Sequence, residues 1–112
     1  MLAAIKSLSE VNLVAPYTPK DYTSSWAQFS ILAESKEHRS SIMNYLKSKE
    51  IPSMIYYHTP LHLQKVFSGL GYKSGDFPIS ERIADQIFSI PMHSYLEQDH
   101  QDNILEALHA AA

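Results

Sequence analysis

The chain is 112 residues long, 45% hydrophobic, 11% aromatic and 19% charged, which suits one globular domain and excludes a disordered tail or a coiled coil. Nine Lys and Arg against twelve Asp and Glu leave a net charge of −3, which argues against a nucleic-acid-binding surface, and the absence of cysteine excludes disulfides, thiolate metal sites and cysteine nucleophiles. No apolar run approaches the ~20 residues that span a bilayer, and the opening Met1 to Lys6 is too short for a signal peptide, so a soluble cytoplasmic protein is expected.

Leu2, Ile5 and Leu8 recur at helical spacing, and the β-branched run from Val11 to Ala15 reads as a strand or extended leader stopped by Pro16. Residues 16–25, with Pro16, Pro19 and Asp21, form a loop. From Trp26 to Leu32, Ala27, Phe29 and Ile31 alternate with Gln28 and Ser30, the period of a half-buried strand. Ser35 is a natural N-cap for a helix over about residues 36–48, whose apolar stripe is Ile42, Tyr45 and Leu46. Ile51-Pro52 ends it, and Ser53 to Tyr57 reads as a second strand.

His58-Thr59-Pro60 breaks that strand, and Leu63, Val66, Phe67 and Leu70 suggest one or two helical turns before the glycines at 69, 71 and 75. Phe77-Pro78 opens a helix carrying Ile79, Ile83 and Ile87. Phe88 to Ile90 is a brief strand, and the last helix runs from about Gln98 to Ala110 on a stripe of Ile104, Leu105 and Leu108. This order predicts an α+β fold, a small sheet with helices packed on one face. Strand pairing is not readable from the pattern.

Few residues carry chemistry. His58 and His62 have the i, i+4 spacing of a helical metal site, but Pro60 between them breaks such a helix and no carboxylate or thiol completes the set, so no metal is expected. Asp76 reads as a turn or N-cap residue and Gly69-Leu70-Gly71 as a turn, since it lacks the rest of a phosphate loop. Tyr56 and Tyr57 at a strand end, followed by His58 and His62, place phenol and imidazole donors at a strand-to-loop junction suited to phosphate or sugar hydroxyls.

Ser25-Trp26-Ala27-Gln28-Phe29-Ser30-Ile31 resembles the Val-Trp-Ala-Gln-Tyr-Thr/Ser-Ile stretch of the DegT/StrS family of pyridoxal-phosphate-dependent nucleotide-sugar aminotransferases. Ile51-Pro52-Ser53-Met54-Ile55-Tyr56-Tyr57 is similar to its Ile-Pro-Thr-x-x-Tyr/His-Tyr. Pro60-Leu61-His62-Leu63-Gln64, Leu70-Gly71-Tyr72, Gly75-Asp76-Phe77-Pro78-Ile79-Ser80-Glu81 and Ile90-Pro91-Met92-His93 follow in order, so the resemblance spans about residues 24–110. His58 stands where the family often has proline, Glu50 where a helix-ending glycine is usual, and Ser94 where a proline follows Pro-Met-His.

The resemblance implies the small domain of a fold-type I aminotransferase, with a mostly antiparallel sheet, as one domain over residues 1–112. Family members are several times longer and carry the Schiff-base lysine, the aspartate on the pyridine nitrogen and the phosphate cup in a large N-terminal domain. None of Lys6, Lys20, Lys36, Lys47, Lys49, Lys65 or Lys73 lies in the family's lysine motif. The resemblance therefore implies no catalytic residue here and no pyridoxal phosphate on this part alone. It places Tyr56 and Tyr57, with His58 and His62, at the substrate, a nucleotide-linked keto-sugar receiving an amino group from an amino acid, usually glutamate. It also implies packing against the large domain and a dimer partner, hence self-association through an exposed interface. The competing expectation is a free-standing α+β ligand-binding module on the same scaffold; a metal-dependent hydrolase built on His58, His62 and His93 is the remaining one.

Overall fold

Phe29–Leu32 (β1) and Ile87–Ile90 (β2) form an antiparallel pair in a computed structural model that describes residues 7–112. The register sets Phe29 opposite Ile90 and Ile31 opposite Phe88, so the large apolar side chains share one face. Phe29, Ile31 and Phe88 are fully buried there. The alternate residues Ser30 and Ser89 meet on the other face, their hydroxyls 2.8 Å apart. A single antiparallel bridge extends the sheet on each side, Val14 to Leu32 and Met54 to Ser89.

Lys36–Ser48 (α1) and Gln98–Ala111 (α3) cover the apolar face. Ile42 and Leu46 of α1 and Ile104, Ala107 and Leu108 of α3 join Phe29, Ile31, Phe88 and Ile90 in one core. The Ser35 hydroxyl accepts the His38 amide at 3.1 Å and caps the first turn of α1. At the other end Ile51 N donates to Leu46 O at 2.9 Å and Glu50 N to Lys47 O at 3.0 Å. These paired bonds, with Ile51 and Leu46 both buried, are a Schellman ending.

Pro78–Gln86 (α2) starts on proline, whose missing N–H is an orphan at that position anyway, and buries only Ala84. It runs straight into β2. Arg39 of α1, itself buried, reaches the end of α2 and donates through Nη1 to Ala84 O at 2.6 Å and Ile87 O at 3.4 Å. A cation favours the negative end of a helix, so this contact ties α1 to α2 without a carboxylate.

The α+β architecture with helices on one face agrees with the sequence pattern, and the antiparallel pairing agrees with what the family resemblance implies. Four boundaries differ. Ser53 to Tyr57 is not a regular strand: Pro52 has no N–H to give, only Met54 pairs with Ser89, and the chain turns at Tyr56 and Tyr57. β1 begins at Phe29, because Trp26 takes a left-handed backbone (φ 47°) with its amide on Ser24 Oγ. Ile87 belongs to β2, not to the helix before it. Val11 to Ala15 contributes only the bridge at Val14 and follows a short 3-10 turn, Ser9–Val11. The helical reading of Leu2 and Ile5 lies outside the described residues. No helix among the described residues is long and apolar enough to cross a membrane.

Candidate functional site

Beyond Met54 the chain leaves the sheet at Tyr56 and Tyr57, which are joined by a cis peptide bond. Their rings meet edge to face, 5.6 Å between centroids at 70°. Tyr56 is half-buried and Tyr57 is 70% exposed. Both line a depression of about 240 Å³ whose other side is α2. Thr59, Gln64 and Ser80 add two hydroxyls and an amide, while Ile83, Ala84 and Ile87 form an apolar floor. Arg39 holds the carbonyls of two of those floor residues from behind.

The depression therefore offers several neutral hydrogen-bond donors over an apolar base and has no charged side chain in its lining. A cation stands next door: Lys65 shares a more open depression with Tyr57, Thr59 and Gln64. Tyr56 also lines a second cavity of about 220 Å³ with Gln28, Ser53, Ser89 and Met92, so it divides two openings.

The four residues expected at the ligand are not equivalent. Tyr56 and Tyr57 share the depression, and His58 follows them on the exposed turn. His62 turns away. Its Nε2 lies 2.9 Å from Glu81 Oε1, its ring is 4.8 Å from Phe77, and its side chain is only 7% exposed. Glu81 in turn accepts from Gly75 N at 2.8 Å and Ser74 Oγ at 3.1 Å. His62, first of all, and then the Gly75 N–H hold the Glu81 carboxyl below the ordinary glutamate range, against the opposing effect of desolvation. Asp76 closes the neighbouring turn, accepting from Lys73 N at 2.9 Å, while Phe77 occupies the position before α2.

Glu81, Thr59, Gln64 and Ser80 were not singled out by the sequence. Glu81 is an ordinary first-turn acid by pattern, and its partner His62 lies 19 residues away.

The described residues do not fit pyridoxal phosphate. The coenzyme needs an enclosed amine, and every lysine among them is exposed. Lys36 and Lys73 are spent on Asp85 and Asp76, Lys49 lies 5.5 Å over the Tyr45 ring, and Lys65 stands on an open rim. Lys6 lies outside the described residues. Among these residues no group of three or more His, Asp or Glu is placed to hold a metal ion.

The model of the DegT/DnrJ/EryC1/StrS aminotransferase family matches residues 3–109. The Pleiotropic regulatory protein of Geobacillus stearothermophilus is 35% identical over 91 residues, 81% of this chain and 24% of that protein. The dTDP-3-amino-3,4,6-trideoxy-alpha-D-glucose transaminase of Micromonospora megalomicea subsp. nigra is 42% identical over 59 residues, 53% of this chain and 16% of that enzyme. A crystal structure of a DegT DnrJ EryC1 StrS aminotransferase from Brucella abortus superposes with a TM-score of 0.83 at 34% identity, covering 97% of this chain and 28% of that one. The chain thus spans about a quarter of the length of relatives such as the first and third of these.

Proposed function

The chain belongs to the DegT/DnrJ/EryC1/StrS aminotransferase family, and from that premise we propose that it is the C-terminal small domain of a pyridoxal-phosphate-dependent nucleotide-sugar aminotransferase. The observation that carries this reading is the coverage: nearly all of this chain superposes on little more than a quarter of the Brucella abortus enzyme. In such an enzyme the coenzyme supplies the electron sink for amino transfer. The described residues do not fit it, and on this reading its lysine, phosphate cup and pyridine partner belong to a separate large domain, and the small domain alone is inactive.

The work left to this domain is binding and orientation. Tyr56, Tyr57 and Thr59, each with a hydroxyl, line one depression with an apolar floor, a lining suited to phosphate oxygens and sugar hydroxyls. His58 extends that edge, and His62 supports it from behind. The substrate is a keto-sugar linked to a nucleoside diphosphate, the amino donor an amino acid such as glutamate, and the product an amino-sugar for surface polysaccharide or related biosynthesis. Transaminases of dTDP-linked and UDP-linked sugars among the relatives support the substrate class. The large domain, a second copy of the enzyme and a cytoplasmic setting belong to the same proposal.

Tyr57→Phe in the enzyme that carries this domain tests it. Loss of one hydrogen bond to a charged phosphate weakens sugar-nucleotide binding roughly tenfold or more, with the coenzyme's absorption spectrum unchanged. An altered spectrum would place Tyr57 at the coenzyme, and unchanged binding would remove it from the substrate.

A further inference from the structure

The tyrosine-lined depression is built from two stretches far apart in the chain. Pro60 and Leu61 form one wall, and Ser80 of α2 stands on the other, with Ile83, Ala84 and Ile87 as the floor. The wall at Leu61 opens a long stretch with little to hold it. Its two 3-10 segments, Leu61–Leu63 and Lys65–Leu70, bury no residue, and all of residues 65–80 are exposed. Apolar burial orders most loops, and here it contributes little, so polar contacts must supply the order.

They converge on one carboxylate. Leu61 and Ser80 are followed in the chain by His62 and Glu81, and those two side chains join at 2.9 Å behind the walls. Glu81 also takes Gly75 N through both oxygens, at 2.8 and 3.1 Å, and Ser74 Oγ. Phe77 lies against the His62 ring and meets Tyr72 edge to face at 5.3 Å. One acid therefore gathers the first 3-10 segment and the 73–77 turn onto its own helix. The His62 side chain is 7% and that of Glu81 21% exposed, so the contact between them is partly screened from water, while the Gly75 and Ser74 bonds are exposed.

We propose that Glu81, acting through His62, is a positioning residue of the candidate site: it clamps the Leu61 wall to α2, so that Tyr57 and Thr59 face the same ligand as Ser80. The proposal rests on the reading of the tyrosine-lined depression as the substrate end. His62 is then a member of the site that never touches substrate, because its Nε2 is committed to Glu81.

Amide hydrogen exchange on the isotope-labelled chain, read by NMR with titrations of UDP-N-acetylglucosamine and dTDP-glucose, tests it. Glu81→Gln is expected to cut protection at Gly75 and Leu63 about tenfold or more, with core amides of β1 and α1 unchanged within twofold. His62→Gln keeps a side-chain N–H for Oε1 and retains most of the protection, whereas His62→Ala loses it. The double variant His62→Ala, Glu81→Gln is no worse than Glu81→Gln alone, as expected of one shared contact. In the titrations, Tyr57 ring signals shift in the wild type, and Glu81→Gln weakens that binding at least fivefold.

Unchanged protection at Gly75 and Leu63 overturns the clamp. An equal loss throughout the core overturns it too, since Glu81 would then hold the whole fold and not one wall. If the wild type binds and Glu81→Gln binds as tightly, the positioning role fails while the pocket stands. If neither nucleotide sugar moves Tyr57 in the wild type, the pocket reading itself fails and the site role of Glu81 goes with it.

Discussion

Glu81 shows how one side chain sets a pH dependence. Its carboxyl is held below the ordinary glutamate range chiefly by His62 and by the Gly75 N–H. A carboxyl with a lowered folded-state value contributes stability above its unfolded value, about 4.3 for glutamate. That contribution drains as pH falls through the lowered value, since protonation removes an acceptor from the cluster. The 73–77 turn is therefore expected to lose order on acidification before the core does, visible as loss of Gly75 amide protection at acid pH. Lys73 and Asp76 pair at 3.5 Å in the same turn and Arg82 follows Glu81, so Glu81→Gln is the control. A profile that survives this substitution would show that Glu81 does not set the acid transition.

At the scale of elements, α1 carries a mismatch that its sequence announces. Glu50 holds a left-handed backbone, φ 60°, in the position after the C-cap of its Schellman ending. Glycine takes that conformation freely, and a side chain with a Cβ pays roughly 1 kcal/mol for it. Glu50→Gly is expected to stabilise the chain by about 0.5–1 kcal/mol, measured as a rise in urea midpoint at constant slope. A fall in midpoint would mean the Glu50 side chain makes a contact worth more than the strain.

The helices were legible because their signals are local. Ser35 and the Ile42-to-Leu46 stripe fix α1, Pro78 fixes the start of α2, and Ile104 with Leu108 fixes α3. Ser53 to Tyr57 misled because β-branched and aromatic residues suit a strand and a pocket lining alike, and only pairing tells them apart. Ser89 lends that partner to Met54 alone. The same division runs through the candidate site. Tyr56 and Tyr57 stand out from their neighbours and from the family pattern, whereas the His62–Glu81 contact exists only after the chain has folded back over 19 residues.

Over the whole molecule, shape and surface point the same way. The radius of gyration is 15.5 Å, where a compact chain of this length has about 13 Å, and the extents are 48 × 36 × 25 Å. The stretch from Leu61 to Phe77 contains no buried residue. Val66 is 77% and Leu70 65% exposed, and Leu61, Phe77 and Ile79 are exposed as well. Leu61, Phe67, Leu70, Tyr72 and Phe77 line an almost wholly apolar depression of about 240 Å³. A contiguous apolar patch of this kind favours association, and a net charge of −3 is too small to oppose it at physiological salt. The chain on its own is therefore expected to self-associate, with a weight-average mass in sedimentation equilibrium that rises with concentration and rises further in sulfate. Phe67→Lys with Leu70→Lys places two charges in the lining of that depression without touching the core, and is expected to return the chain to a monomer with its urea midpoint unchanged. A wild-type chain that stays strictly monomeric at several hundred micromolar would remove the patch as an interaction surface. A double variant that still associates would move that surface elsewhere.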